Sequence, residues 1–185
     1  MNAVTDLDLN QTLVDRLRTR DQDALEELLA IYGREVTAVA YTICRNEADA
    51  EEVAADVFVT AWIKISALRD PRSLRAWLLR VTTRLAIKKQ SRHPIPADAQ
   101  QAPRNEPDPA VAVVDRDVLN SALDALPIRM RAVVALRYVA DLTVPEVSAV
   151  LDRSPNTIKS ELQRAMPRLR MALGGNAEYR RRTDE

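Results

Sequence analysis

Asn156, Thr157, Lys159, Ser160, Gln163 and Arg164 fall within residues 156–164. Asn and Gln side chains pair a donor with an acceptor, Ser and Thr hydroxyls do either, and Lys and Arg bind anionic oxygens. These are the types that bond base edges and phosphates in a major groove. Arg153, in the turn just before them, is counted with the set. Between them run Ile158, Leu162, Ala165 and Leu169 at three-to-four spacing, so one helix would bury the apolar residues and offer the polar ones outward. Glu161 opposes DNA on charge grounds, unless it accepts from a cytosine amine or pairs with a neighbour. The plain alternative is an ordinary polar helix face.

A second cluster is basic. Arg80, Arg84 and Lys88 recur every four residues, opposite the apolar stripe Leu74, Trp77, Leu78, Val81 and Leu85. Like charges so spaced repel by a few tenths of a kcal/mol per pair, a cost that an anionic partner relieves. A solvated basic face is the alternative. A third cluster is acidic: Glu47, Asp49, Glu51, Glu52 and Asp56. The dipole of a helix starting there accounts for Glu47 and Asp49 but fades before Asp56. Glu52 and Asp56 are four apart, which points to a basic protein partner; acid/base catalysis would also use paired carboxylates, but no pocket-forming loop accompanies them.

These clusters cancel in the total. The 185 residues hold 27 basic and 27 acidic side chains. Met1 to Asp56 carries a formal charge of −8, and Val57 to Arg92 carries +8. A field of the second sign draws polyanions.

Other chemistry is excluded. There are only three glycines, Gly33, Gly174 and Gly175, too few and wrongly placed for a phosphate-cradling loop, a dinucleotide fingerprint or a nucleophile elbow. The single Cys44 allows no internal disulfide and fits a reducing cytosol. The single His93 excludes the common zinc sites and any Ser/His/Asp arrangement. No metal and no cofactor is expected. No apolar run nears the roughly 20 residues that cross a bilayer, and Met1 is not followed by a signal peptide.

The elements that must position these clusters are all helical. Leu25, Leu28, Leu29, Tyr32, Val36, Val39 and Ile43 mark a helix that Asp21 can cap. Asn46 caps a second, burying Val53, Val57, Phe58, Ala61, Trp62 and Ile65; Asp70-Pro71 opens a third. Pro94, Pro96, Pro103, Pro107 and Pro109 mark a linker. Beyond it, four short helices are predicted. Thr143-Val144-Pro145-Glu146 is a capping box. Asp152-Arg153 makes a tight turn, and Ser154-Pro155 caps the helix of the first cluster, completing a helix-turn-helix. Pro167 should kink or end that helix.

The fold expected is therefore all-α, with two small helical domains at 10–91 and 114–173. A flexible Pro-rich linker at 92–113 joins them, and a disordered tail follows at 174–185.

Two stretches resemble a known family. Asp49 to Trp62 and Arg75-Ala76-Trp77-Leu78-Leu79-Arg80-Val81 resemble the core-binding and promoter-melting domain of extracytoplasmic-function (ECF) sigma factors. Ala125-Leu126-Pro127, Val133 to Tyr138, Leu142 to Val147 and Asn156 to Ala165 resemble the domain that binds the minus-thirty-five element. The resemblance spans about 20–173, with the domains in the family's order. It implies a bacterial, cytoplasmic transcription initiation subunit that binds core RNA polymerase and promoter DNA, is not itself an enzyme, and is held by an anti-sigma factor. Asp49, Glu52 and Asp56 would dock on the polymerase. Arg69, Arg80, Arg84 and Lys88 would engage and open the minus-ten element, and the linker would thread into polymerase channels.

The sequence departs from the family's usual residues. Glutamine is usual where Ala55 stands, asparagine at Arg84, an acid at Lys88, glycine at Asp152 and Asn156, and arginine at Glu161. The resemblance thus implies a divergent member, with altered promoter preference as the milder interpretation of these departures and weakened activity as the harsher one. Two other readings are open: a helix-turn-helix regulator with an unrelated helical domain, and a sigma-like interaction module without promoter activity.

Overall fold

The structure, a computed structural model, describes residues 3–92 and 119–183. The proline-rich stretch and His93 lie outside the described residues; Arg92 ends a helix. In chain order the helices are α1 (Ala3–Arg18), α2 (Gln22–Cys44), α3 (Glu47–Lys64), α4 (Leu74–Arg92), α5 (described over 119–124), α6 (Ile128–Val134), α7 (Val144–Leu151) and α8 (Pro155–Thr183). No strand occurs among the described residues.

The predicted caps close the backbone as their chemistry requires. Asp21 accepts from the Asp23 N–H at 3.0 Å, and Asn46 accepts from the Asp49 N–H at 2.9 Å. Asp70 accepts from the Arg72 N–H at 3.0 Å, but opens a short 3₁₀ turn, Pro71–Ser73, before α4 begins at Leu74. Each bond satisfies a donor that the helix cannot.

Helices α2, α3 and α4 pack on one another, and α1 lies against α2. Leu28, Val36, Val39 and Ile43 of α2 interlock with Val53, Val57 and Ala61 of α3 and with Leu74, Leu78 and Val81 of α4. Each large side chain so buried contributes about 1.5–3 kcal/mol against exposure. Trp62, Trp77 and Leu85 pack at the margin, half-buried. Helix α1 is an addition to the predicted elements: Leu13, Val14 and Leu17 seal the α2 surface, and the Tyr32 hydroxyl donates to Asn10 at 2.9 Å.

The second half is built on α6, α7 and α8. A π-helical turn, Ala135–Val139, prolongs α6. A small second core joins Ala122, Leu123 and Leu126 to Val134, Ala165 and Leu169. The two halves do not stand apart: α2 packs on α6, α4 packs on α7, and Ala132, Leu136, Val147 and Ile158 belong to the same continuous core as α2–α4.

Helix α8 is longer than its signals predicted. Pro167 sits inside it, and its backbone continues through Gly174-Gly175 to Thr183 where a disordered tail was expected. Proline removes one bond of the ladder, but Ala165 and Leu169 are buried on either side of it and hold the helix in register. The glycines each cost about 1 kcal/mol, while the neighbouring Ala, Arg and Glu residues are strong helix formers.

Candidate nucleic-acid interface

Helix α8 opens at a local knot of hydroxyls. Ser154 Oγ accepts from the Thr157 N–H at 3.1 Å and lies 2.8 Å from the Thr157 hydroxyl; Ser160 donates to the Thr157 carbonyl at 2.9 Å. With these bonds made, Asn156, Thr157, Lys159, Gln163 and Arg164 stand exposed in one band, and Ser160 is half-buried. Ile158 is buried beneath them and Leu162 is packed against the core. The positive end of the α8 dipole also lies at this turn and favours a phosphate.

Helix α7 is set by its capping box. Glu146 Oε2 accepts from the Thr143 N–H at 2.7 Å and from the Thr143 hydroxyl at 2.6 Å. These bonds hold the Glu146 carboxyl below its ordinary value of 4.5. After α7, Asp152 takes the left-handed conformation at φ 52°, which few side chains other than Asp and Asn tolerate.

Arg153 and Glu161 are both withdrawn from the open band. Arg153 Nη1 donates to both oxygens of Glu161, at 2.9 and 3.0 Å. Of the two choices left to Glu161, pairing with a neighbour is the one taken.

On α4, Arg84 and Lys88 are exposed, as is Arg69 in the loop before it. Arg80 keeps its place on this face but is engaged: Nη2 donates to the Ala149 carbonyl of α7 at 2.5 Å. One turn earlier, Arg75 binds Glu35 of α2 and donates to the Ala140 carbonyl at 2.6 Å. Glu35 raises the Arg75 guanidinium further above its ordinary value. Two arginines of α4 thus tie the halves through backbone oxygens.

The acidic candidates divide. Lys89 of α4 donates to Glu52 at 2.5 Å and lies 3.5 Å from Asp49, and Gln90 donates to Asp49 at 3.2 Å. The Glu52 bond raises the Lys89 ammonium. Asp49 and Glu52 therefore pin α4 to α3, while Asp56 is exposed with no ion pair among the described residues. Asp56 has company that the sequence reading missed. Val59 is 55% exposed and Ile63 is 56% exposed, and Glu52, Asp56, Val59 and Ile63 succeed one another along one helical stripe. The available signal was that both fall off the inward stripe of Val53, Val57, Ala61 and Ile65. Beside them Arg20 stacks 5.3 Å from the Trp62 ring and donates to its carbonyl.

A buried ionic group lies where the halves meet. Arg45, in the left-handed conformation at the end of α2, has a side chain only 1% exposed. Its Nε donates to Asp124 at 2.9 Å, and Arg131 lies 3.9 Å from the same oxygen. Nη1 and Nη2 of Arg45 and Nε of Arg131 are buried without a hydrogen-bond partner among the described residues. Burial lowers the Arg131 guanidinium and pushes the neighbouring Cys44 thiol up to about 12.

Residues 28–93 match the family described as Sigma-70 region 2, and residues 116–169 match Sigma-70, region 4. The chain is 31% identical over 161 residues to the ECF RNA polymerase sigma factor RpoE of Cereibacter sphaeroides, covering 83% of this chain and 88% of that one. It is 26% identical over 176 residues to the ECF RNA polymerase sigma factor SigW of Bacillus subtilis, covering 86% and 94%. Its fold is like that of CnrH, solved in complex with the cytosolic domain of CnrY, with a TM-score of 0.70 at 24% identity over 90% of this chain and 97% of that one. It is also like that of the sigma factor RpoE in complex with the anti-sigma factor NepR from Bartonella quintana, with a TM-score of 0.65 at 22% identity over 80% and 96%.

Proposed function

This chain belongs to the ECF RNA polymerase sigma factors, and from that premise we propose which of its surfaces carries each step. As a member it binds core RNA polymerase and directs promoter-specific transcription initiation. We assign reading of the minus-thirty-five element to the exposed band of α8: Asn156, Thr157, Lys159, Ser160, Gln163 and Arg164. The observation that carries this assignment is the band itself, six outward polar and basic side chains on a helix whose apolar side is held in the core.

We assign contact with the minus-ten element to Arg69, Arg80, Arg84 and Lys88. Docking on the polymerase falls to the stripe of Glu52, Asp56, Val59 and Ile63. Asp49 acts behind it, holding Lys89 and Gln90 of α4 in place. An acidic stripe flanked by exposed apolar residues suits a basic protein surface, not DNA. The phosphodiester chemistry belongs to the polymerase, and the chain works in the cytoplasm beside it. No helix among the described residues is long and apolar enough to cross a membrane. The two solved relatives are complexes with CnrY and with the anti-sigma factor NepR, and we propose that an anti-sigma factor holds this chain also.

Reconstitution with bacterial core polymerase and mapping of transcript starts tests this reading. Defined starts that depend on the chain are expected. Failure to co-purify with core polymerase sinks it.

A further inference from the structure

We propose that Glu161 is a positioning residue for the DNA-reading helix: by binding Arg153 it fixes the turn between α7 and α8 and removes that cation from the set that meets phosphates. The inference rests on the reading of α8 given above. Arg153 is held at three points. Its N–H donates to the Ser148 carbonyl at 3.1 Å, its carbonyl accepts from the Ser148 hydroxyl, and its guanidinium is bound to Glu161. The end of α7 is thereby joined to the second turn of α8 across the left-handed Asp152. A turn with a side chain at that backbone position needs such support more than a glycine turn does.

The geometry also decides what Glu161 does to DNA. Its carboxylate lies at the edge of the outward band, next in helical period to Thr157 and Arg164, where an unpaired negative charge would repel phosphate. Both of its oxygens accept from one nitrogen of Arg153, and the two side chains are 23% and 17% exposed. A carboxylate so occupied is not an open acceptor for a cytosine amine. The pair is neutral, so Lys159 and Arg164 remain the cations of the band.

The test uses holoenzyme made from the full chain and bacterial core polymerase, binding promoter DNA and promoter-free duplex across a salt series. Glu161→Ala releases Arg153. Affinity for promoter-free duplex should then rise about fivefold to tenfold near 0.1 M salt, as expected for one added phosphate contact, with the log–log salt slope steeper by about one. Discrimination between promoter and promoter-free DNA should fall with it. Glu161→Gln, which keeps the shape and one acceptor oxygen, should give a smaller change in the same direction and serves if the alanine variant folds poorly. In an Arg153→Ala background the change in slope should vanish. An unchanged slope with lost discrimination at a single C·G pair would mean that Glu161 reads that base itself and would overturn the proposal. A slope change that persists without Arg153 would overturn it too. If the unmodified holoenzyme selects no promoter, the sigma reading of α8 fails instead, whatever the variants do.

Discussion

Arg80 of α4 donates from Nη2 to the backbone carbonyl of Ala149 in α7, 2.5 Å away and 69 residues along the chain. A residue assigned to the minus-ten element therefore touches the first helix of the unit assigned to the minus-thirty-five element. Those elements are, by name, about 25 base pairs apart, on the order of 85 Å at 3.4 Å per pair. The two halves must part when both are engaged. With dyes at Ala76→Cys and Arg168→Cys, both on exposed positions, energy transfer should be high in the free chain and drop on binding core polymerase and promoter. Unchanged transfer would show that the halves stay joined.

The basic face of α4 gives a second expectation. Replacing Arg80, Arg84 and Lys88 together by alanine should slow promoter opening by at least about tenfold and leave affinity for core polymerase within about twofold. The check is permanganate footprinting of opened DNA beside a core-binding titration. Equal opening by the variant would mean that Arg84 and Lys88 are only solvated and that Arg80 serves the Ala149 bond alone.

The stripe on α3 should behave in the opposite way. Asp56→Ala with Ile63→Ser should weaken core binding by about tenfold, since exposed apolar residues beside a charge are the kind that anchor an interface. Stability should move by no more than about 0.5 kcal/mol, because neither side chain is buried in the free chain. Fluorescence anisotropy with labelled chain measures the first and thermal unfolding the second.

Acid should loosen the helix-turn-helix through Glu146. Its carboxyl is held below 4.5 in the folded chain by the Thr143 hydroxyl and N–H, so the contribution is present above that value. It is lost as pH falls through the lower folded value, where the proton binds. Between about pH 6 and pH 3, the stability of Glu146→Gln should therefore fall less steeply than that of the unmodified chain. Parallel curves in urea unfolding would refute the assignment.

Much of this was legible in the residues. Asp21, Asn46, Thr143 with Glu146, and Ser154 declare helix starts by local chemistry, and local chemistry survives folding. The outward band of α8 follows from helical period alone. What could not be read are the partners of the charges. Nothing in the period of α4 shows that Arg80 meets Ala149, that Lys89 meets Glu52, or that Arg45 meets Asp124, since each pair depends on how helices far apart in sequence cross. Gly174-Gly175 do not end α8 because strong helix formers surround them, and Pro167 does not end it because Ala165 and Leu169 are held in the core on either side; neither effect shows in a local breaker taken alone.

The buried arginines at the junction of the halves act as a counterweight. Two guanidinium groups share one carboxylate there, and three of their nitrogens have no hydrogen-bond partner among the described residues. Each such donor costs about 1–3 kcal/mol while it stays dry and recovers that on meeting water. Parting the halves also breaks the Arg45–Asp124 bond, so hydration of these donors offsets part of that loss and makes the junction less costly to open than an ion pair whose every donor is met.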